Sequence, residues 1–130
     1  VKIKITSSDL LKNVPLDPDW YEAVFVKMET APSKDRKSTN FVVHIQIDKD
    51  GRVIEHLFNS KAMGFMQPFV DALILGPNEH SDANCDLEFD DETCKGKKLK
   101  VHTFIDTYMN RPSTKIDGFS HIETDTSPAF

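Results

Sequence analysis

No apolar run in these 130 residues reaches the ~18 consecutive residues that a membrane-spanning helix needs, so no membrane association is expected. No secretory signal pattern opens the sequence. Cysteine is scarce. Cys85 and Cys94 are the only two, in a polar stretch, without C-x-x-C spacing and too few for a disulfide framework. A Cys85–Cys94 bridge is geometrically open, but the pattern points to a reduced, cytoplasmic protein. A nucleophile motif, a phosphate-cradling glycine loop and a spaced carboxylate pair are all missing, so neither enzymatic activity nor a cofactor is expected. Net positive charge is missing too: the formal charge is −5.

That total hides an uneven distribution. Residues 78–92 hold seven acids (Glu79, Asp82, Asp86, Glu88, Asp90, Asp91 and Glu92) and no Lys or Arg. Elsewhere 16 basic residues face 14 acidic ones. Local excess, not the total, decides which surface attracts phosphate.

Size and composition fit one soluble domain with a real core. We expect that domain over residues 1–123, with 1–19 as an N-terminal extension, 78–95 as an acidic loop and 124–130 as a short tail. The clearest stretch is 39–58. Phe41, Val43, Ile45 and Ile47 alternate with Val42, His44, Gln46 and Asp48, the period of a strand with one buried face. Asp48-Lys49-Asp50-Gly51 is a tight reversal, and Arg52 to Phe58 resumes an extended pattern, which predicts a β-hairpin.

The remaining elements follow from similar cues. Val1–Ile5 alternates weakly, as a short edge strand would. Ser7-Ser8-Asp9 can cap a brief helical turn through Lys12, and Pro15 and Pro18 end it. Trp20–Thr30 reads as the first long strand, with Val24, Val26 and Met28 on one face and Tyr21, Ala23, Phe25 and Lys27 on the other. After a cap at Asn59 or Ser60, Ala62, Phe65, Met66, Phe69, Val70, Leu73 and Ile74 recur at helical spacing. Gly64 and Pro68 place a short turn before a regular helix that starts near Pro68. A helical turn is expected around Asp90–Cys94. Lys98–Tyr108 is the fourth strand, Asn110–Ser113 a turn, and Thr114–Glu123 the fifth, with Ile116, Gly118, Ser120 and Ile122 on one face.

Five short strands with one helix between the third and fourth suggest an all-β, OB-fold-like Greek-key barrel, because closure hides exposed edges. An open α+β sheet is the alternative. OB-folds often bind oligonucleotides or oligosaccharides with the face of strands two and three and the loops after strands one and four. The first loop here carries Lys34, Arg36 and Lys37. The second carries Arg111 and Lys115, with Tyr108 beside it, and Arg52 sits on the hairpin. Single-strand binders pair a cationic groove with aromatic rings on which bases stack.

Several segments carry a family resemblance: Trp20-Tyr21-Glu22-Ala23, Lys34-Asp35-Arg36-Lys37-Ser38-Thr39-Asn40-Phe41, Phe58-Asn59 before a helix, and Lys95-Gly96-Lys97 opening strand four. Over most of residues 20–122 the chain resembles short phage-encoded single-stranded DNA-binding proteins with an OB-fold. The resemblance implies sequence-tolerant binding of single-stranded DNA in phage replication or recombination. The end of the chain, with Glu123, Asp125, Pro128 and a final Phe130, is similar to the acidic tip with which bacterial single-strand binders dock partner enzymes.

Candidate stacking rings are Tyr108, Phe58, Phe104, Phe119 and Trp20, with Tyr108 foremost because an amphipathic ring suits a strand end beside a basic turn. Phe41, Phe65 and Phe69 are assigned to the core. Histidines 44, 56, 102 and 121 fall on predicted strands without zinc-ligand spacing. Asp48–Gly51 lacks the acid a calcium loop needs at its twelfth position, where Asn59 stands. The alternatives to DNA binding are a non-enzymatic protein-interaction or phage assembly module, and an oligosaccharide-binding barrel. The last needs Trp20 and Tyr21 exposed, whereas their place at a strand start assigns them to the core.

Overall fold

The computed structural model describes residues 1–7, 10, 14–74 and 89–122. Five strands carry it: β1 (Trp20–Pro32), β2 (Thr39–Ile47), β3 (Val53–Asn59), β4 (Lys98–Tyr108) and β5 (Arg111–Ser120). They form one antiparallel sheet in the order β3-β2-β1-β4-β5. Between β3 and β4 come a 3₁₀ segment (Ser60–Met66), helix α1 (Gln67–Ile74) and the short helix α2 (Asp91–Cys94). The mostly-β class and the helix between the third and fourth strands are as the sequence predicts. No helix among the described residues is long and apolar enough to cross a membrane.

The sheet curls but does not close. Among the described residues no ladder joins β3 to β5. Rings fill the gap instead: His56 and Phe119 lie 5.3 Å apart, and Phe58 and Phe119 6.1 Å. Aromatic side chains occupy the space that a hydrogen-bonded neighbour, at about 4.8 Å, would need. The expected barrel is therefore left open along this β3–β5 seam.

The β2–β3 hairpin forms because its alternation matches a half-buried strand. Val43, Ile45 and Ile47 are fully buried, and Gln46 on the other face is exposed. Gly51 takes a φ of 79°, in the left-handed region that glycine enters without strain. The turn closes through Gly51 N–H to the Ile47 carbonyl at 2.8 Å.

Two irregularities reset which residues face inward. In β1 the register shifts between Phe25 and Lys27, so Met28 pairs with Val43 and packs on the same core as Ala23 and Phe25. The sequence assignment of Met28 to the opposite face is thereby corrected. In β5 the register shifts opposite His102 and Thr103: Gly118 pairs with His102, but Ile116 pairs with Thr103. Asp117 is the extra residue of this bulge. Phe119, paired with the buried Val101, turns toward the core, and Gly118 and Ser120 leave the face expected for them.

Helix α1 lays Phe69, Val70, Ala72 and Leu73 against the inside of the curled sheet. Phe69 is the hub, with ring centroids 5.3–5.7 Å from Phe25, Phe58, Phe89 and Phe119. Asn59 caps the 3₁₀ segment by accepting from Lys61 N–H at 2.9 Å, and Pro68 stands in the first turn of α1 as expected. Cys94 is buried and free.

The N-terminal extension docks near the other end of the sheet. Leu16 is buried, and its N–H donates to Thr114 Oγ1 at 2.9 Å. Val1–Ile5 is exposed and is not a strand, which corrects that expectation. The expected turn after Ser7-Ser8-Asp9, Cys85, most of the acidic loop and the tail from Glu123 to Phe130 lie outside the described residues, wholly or in large part.

Candidate nucleic-acid interface

β5 begins at Arg111, not Thr114. The reversal is two residues long, Met109 and Asn110, with φ of 50° and 63°. Two successive left-handed residues make the turn whose twist matches a hairpin. Tyr108 and Arg111 are therefore a cross-strand pair, and Phe104 pairs with Lys115 four residues further along. Directly opposed residues share a face, and residues four apart on one strand share it too. One face of this ribbon thus carries Phe104 with Lys115, Asp106 with Ser113, and Tyr108 with Arg111. Tyr108 is 72% exposed and Phe104 36%.

The β1–β2 loop presents its three cations differently. Asp35 organises it: the carboxylate accepts from Ser33 Oγ and from Lys37 N–H at 3.0 Å. Those bonds, Ser33 first, hold the Asp35 carboxyl below its ordinary range. Arg36 takes a φ of 58°, and Lys34, Arg36 and Lys37 are all exposed. The loop is pinned to the end of β3, since Asn59 donates to Ser38 Oγ at 2.9 Å and Thr39 N–H donates to Ser60 Oγ at 2.9 Å. This loop stands at the Pro32 end of β1, whereas the Tyr108–Arg111 tip lies beyond the Trp20 end. The two groups of predicted cations are separated by the length of that strand.

Two predicted site residues are engaged in the interior. Arg52 is only 7% exposed. Its guanidinium is bound by Asp50 at 2.7 Å and donates to the Val14 carbonyl at 2.7 Å, so its charge is spent within the fold and is not offered to phosphate. Phe58 is 4% exposed, with its ring 5.6 Å from Phe69, and is a core residue, not a stacking platform. Phe119 is likewise packed against the core.

The outward face of β2 and β3 differs from the expected cationic surface. His44 lies between Glu29 and Glu55, 3.7 Å from each. Lys27 binds Glu29 at 2.8 Å, which lowers the Glu29 carboxyl. Val42 and Leu57, Gln46 and Val53 complete the face, which carries no exposed aromatic ring.

Two further rings are exposed: Phe65, which the sequence assigns to the core, and Trp20, which it offers both as a stacking candidate and as core. Phe65 is 78% exposed: its segment is 3₁₀ with a kink at Ala62 (φ −139°, ψ 50°), so the α-helical spacing that pointed it inward does not apply. Trp20 is 47% exposed. Its ring lies over Gly118, where an added Cβ would come within 3.3 Å of it, and edge-on to His102 at 5.2 Å. His102 in turn meets Asp117 at 2.6 Å. Tyr21 is half-buried and donates its hydroxyl to the Asp17 carbonyl at 2.6 Å.

Trp20 and Phe65 flank a cleft of about 670 Å³ whose floor includes His56, Phe58, Gly118 and Phe119. Burial, and second the charge of Lys115, push His56 below the usual histidine range, so it is a neutral ring at pH 7. No three His, Cys, Asp or Glu side chains come together as a metal site among the described residues. A scan of protein families and a search of curated protein sequences found no match to this chain.

Proposed function

We infer that this protein binds single-stranded DNA with little sequence preference and acts without catalysing a reaction. The observation that carries the reading is the β4–β5 ribbon, where two ring–cation pairs, Phe104 with Lys115 and Tyr108 with Arg111, stand on one face on either side of the Asp106–Ser113 pair. A ring offers a stacking surface to any base, and a cation beside it releases counterions from the adjoining phosphate. The OB-like strand order and the exposed Lys34, Arg36 and Lys37 support the same reading. So does the resemblance to phage single-strand binders, which would place the protein in DNA replication or recombination in the cytoplasm of an infected cell.

The test is fluorescence anisotropy with a labelled oligothymidine of about thirty bases, longer than the ~4–16 nucleotides one such fold covers. Binding that is tight at low salt, falls steeply with salt and greatly exceeds binding to the matching duplex is the expected result. Absent or salt-independent binding would refute it. A second reading, a protein-interaction or phage assembly module, draws on one observation: Leu57, Met63 and Phe65 are exposed by 57%, 45% and 78%. A protein that co-purifies in fixed ratio through nuclease treatment, with no affinity for the oligonucleotide, would favour it.

A further inference from the structure

We propose that the bound strand follows the open β3–β5 seam, from the β1–β2 loop to the β4–β5 ribbon, and seats a base against Trp20 and Phe65 in the cleft between. This deepens the single-strand reading and rests on it. It moves the path away from the outer face of β2 and β3, where Glu29 and Glu55 flank His44 and no exposed ring offers a base a stacking surface.

Two hollows adjoin along the seam, their linings meeting at Glu55 and His56 of β3 and at Lys115 and Asp117 of β5. At one end the cleft is lined by Asn59, the residue that hydrogen-bonds the basic β1–β2 loop through Ser38 and Asn40. Toward the other end a second hollow of about 390 Å³ lies between the starts of β3 and β5 and is lined by Lys115 and, across from it on β3, by Glu55. Lys115 is also the cross-strand partner of Phe104, so the hollow leads onto the ribbon face. Cations thus stand at both ends of a concave, ring-lined middle, whose acids are Asp117, held by His102, and Glu55. That arrangement suits a polymer with phosphates at the rim and bases turned inward; a protein partner would need a wider apolar surface.

The rings are also free to be used. Phe65 projects from the 3₁₀ segment at 78% exposure, and Trp20 keeps 47% while its ring rests on the bare backbone of Gly118. A residue with any Cβ at 118 would crowd that ring.

Trp20 is the only tryptophan of the chain, so its emission reports on this cleft alone. The experiment titrates the full chain with oligothymidine and follows Trp20 emission beside the anisotropy of a labelled strand. Emission should be quenched and saturate in step with anisotropy. Phe65→Ala should weaken binding roughly 5- to 150-fold, the loss of one base–ring stack, with an unchanged melting curve. Binding by anisotropy with unmoved Trp20 emission and a neutral Phe65→Ala would overturn the seam path and leave the single-strand reading standing. No binding at all would overturn both. A Phe65→Ala variant that loses self-association but keeps its DNA affinity would assign the cleft to a protein contact and overturn the proposal.

Discussion

In the β2–β3 hairpin, Val43, Ile45 and Ile47 are sealed inside the curled sheet, and the arginine after the turn is tied to Asp50 and the N-terminal extension. In the β4–β5 hairpin every residue from Phe104 to Pro112 is exposed, on both faces of the ribbon. Both hairpins are alternating strands joined by a tight turn. One supplies core, and its polar groups are consumed holding the fold. The other runs past the end of the core, so its rings and cations have no internal partners to satisfy. On the proposed function, stability and recognition fall to different hairpins, and each assignment can be broken separately.

The largest separation is expected between two isoleucines. Ile45→Ala empties a fully buried site in β2 and should cost about 2–5 kcal/mol in urea unfolding. Ile105→Ala, in β4 at 39% exposure, should stay within about 0.5 kcal/mol of the parent. Equal losses would mean that the ribbon is packed in solution and is not the free element described here.

The arginines give the next contrast. Arg52→Ala leaves the Asp50 carboxylate and the Val14 carbonyl without their partner, at a cost of about 3 kcal/mol. That is the low end for a broken buried pair, because Asp50 keeps 19% exposure. Arg111→Ala should leave unfolding unchanged and instead lower the slope of log affinity against log salt by about 0.7, one phosphate contact on a single strand. Tyr108→Ala should cost about 1–3 kcal/mol of oligothymidine binding and almost nothing in stability. A Tyr108→Ala variant with parental affinity would remove the ribbon from the interface.

The fold was legible wherever alternation and turn chemistry act locally. Residues 39–58 show it, since Phe41 to Ile47 alternates without interruption and Asp48–Gly51 contains the glycine that the turn requires. Pattern failed where one inserted residue reverses the faces. Neither the shift in β1 beside Val26 nor the bulge at Asp117 leaves a compositional mark, so Met28 and Phe119 were misplaced. Asn110-Arg111-Pro112-Ser113 reads as a turn because those residue types favour turns, yet the positive φ angles fall on Met109 and Asn110. Among the candidate site residues, the exposure of the loop cations and Tyr108 was legible, because residues beside a turn need no tertiary partner. Arg52 was not: its burial depends on Val14, far away in the chain. Phe65 was missed because an aromatic residue at helical spacing usually packs inward, and Trp20, a candidate ring, was also drawn toward the core by its place at a strand start. A 3₁₀ kink and a glycine on the neighbouring strand turned these two outward.

The smallest expected effect lies where the two hairpins meet. His56, on β3, contributes its ring to the seam 5.3 Å from Phe119 of β5, and its pKa is lowered by burial and then by Lys115. The unfolded chain has neither influence, so between the two pKa values it binds more protons than the folded one. Stability must then rise with pH across that window: the neutral imidazole is tolerated in full above the ordinary histidine pKa of about 6.5, and stability is lost as pH falls from there toward the folded-state value. His56→Gln should remove this part of the acid sensitivity, seen as a flatter dependence of unfolding free energy on pH below about 6.5. Lys115→Gln should remove only the smaller, electrostatic part, because burial of the ring persists. If Lys115→Gln flattened the profile as much as His56→Gln, the charge on the recognition hairpin would be governing the core hairpin, and the two would not be as separable as their burial indicates.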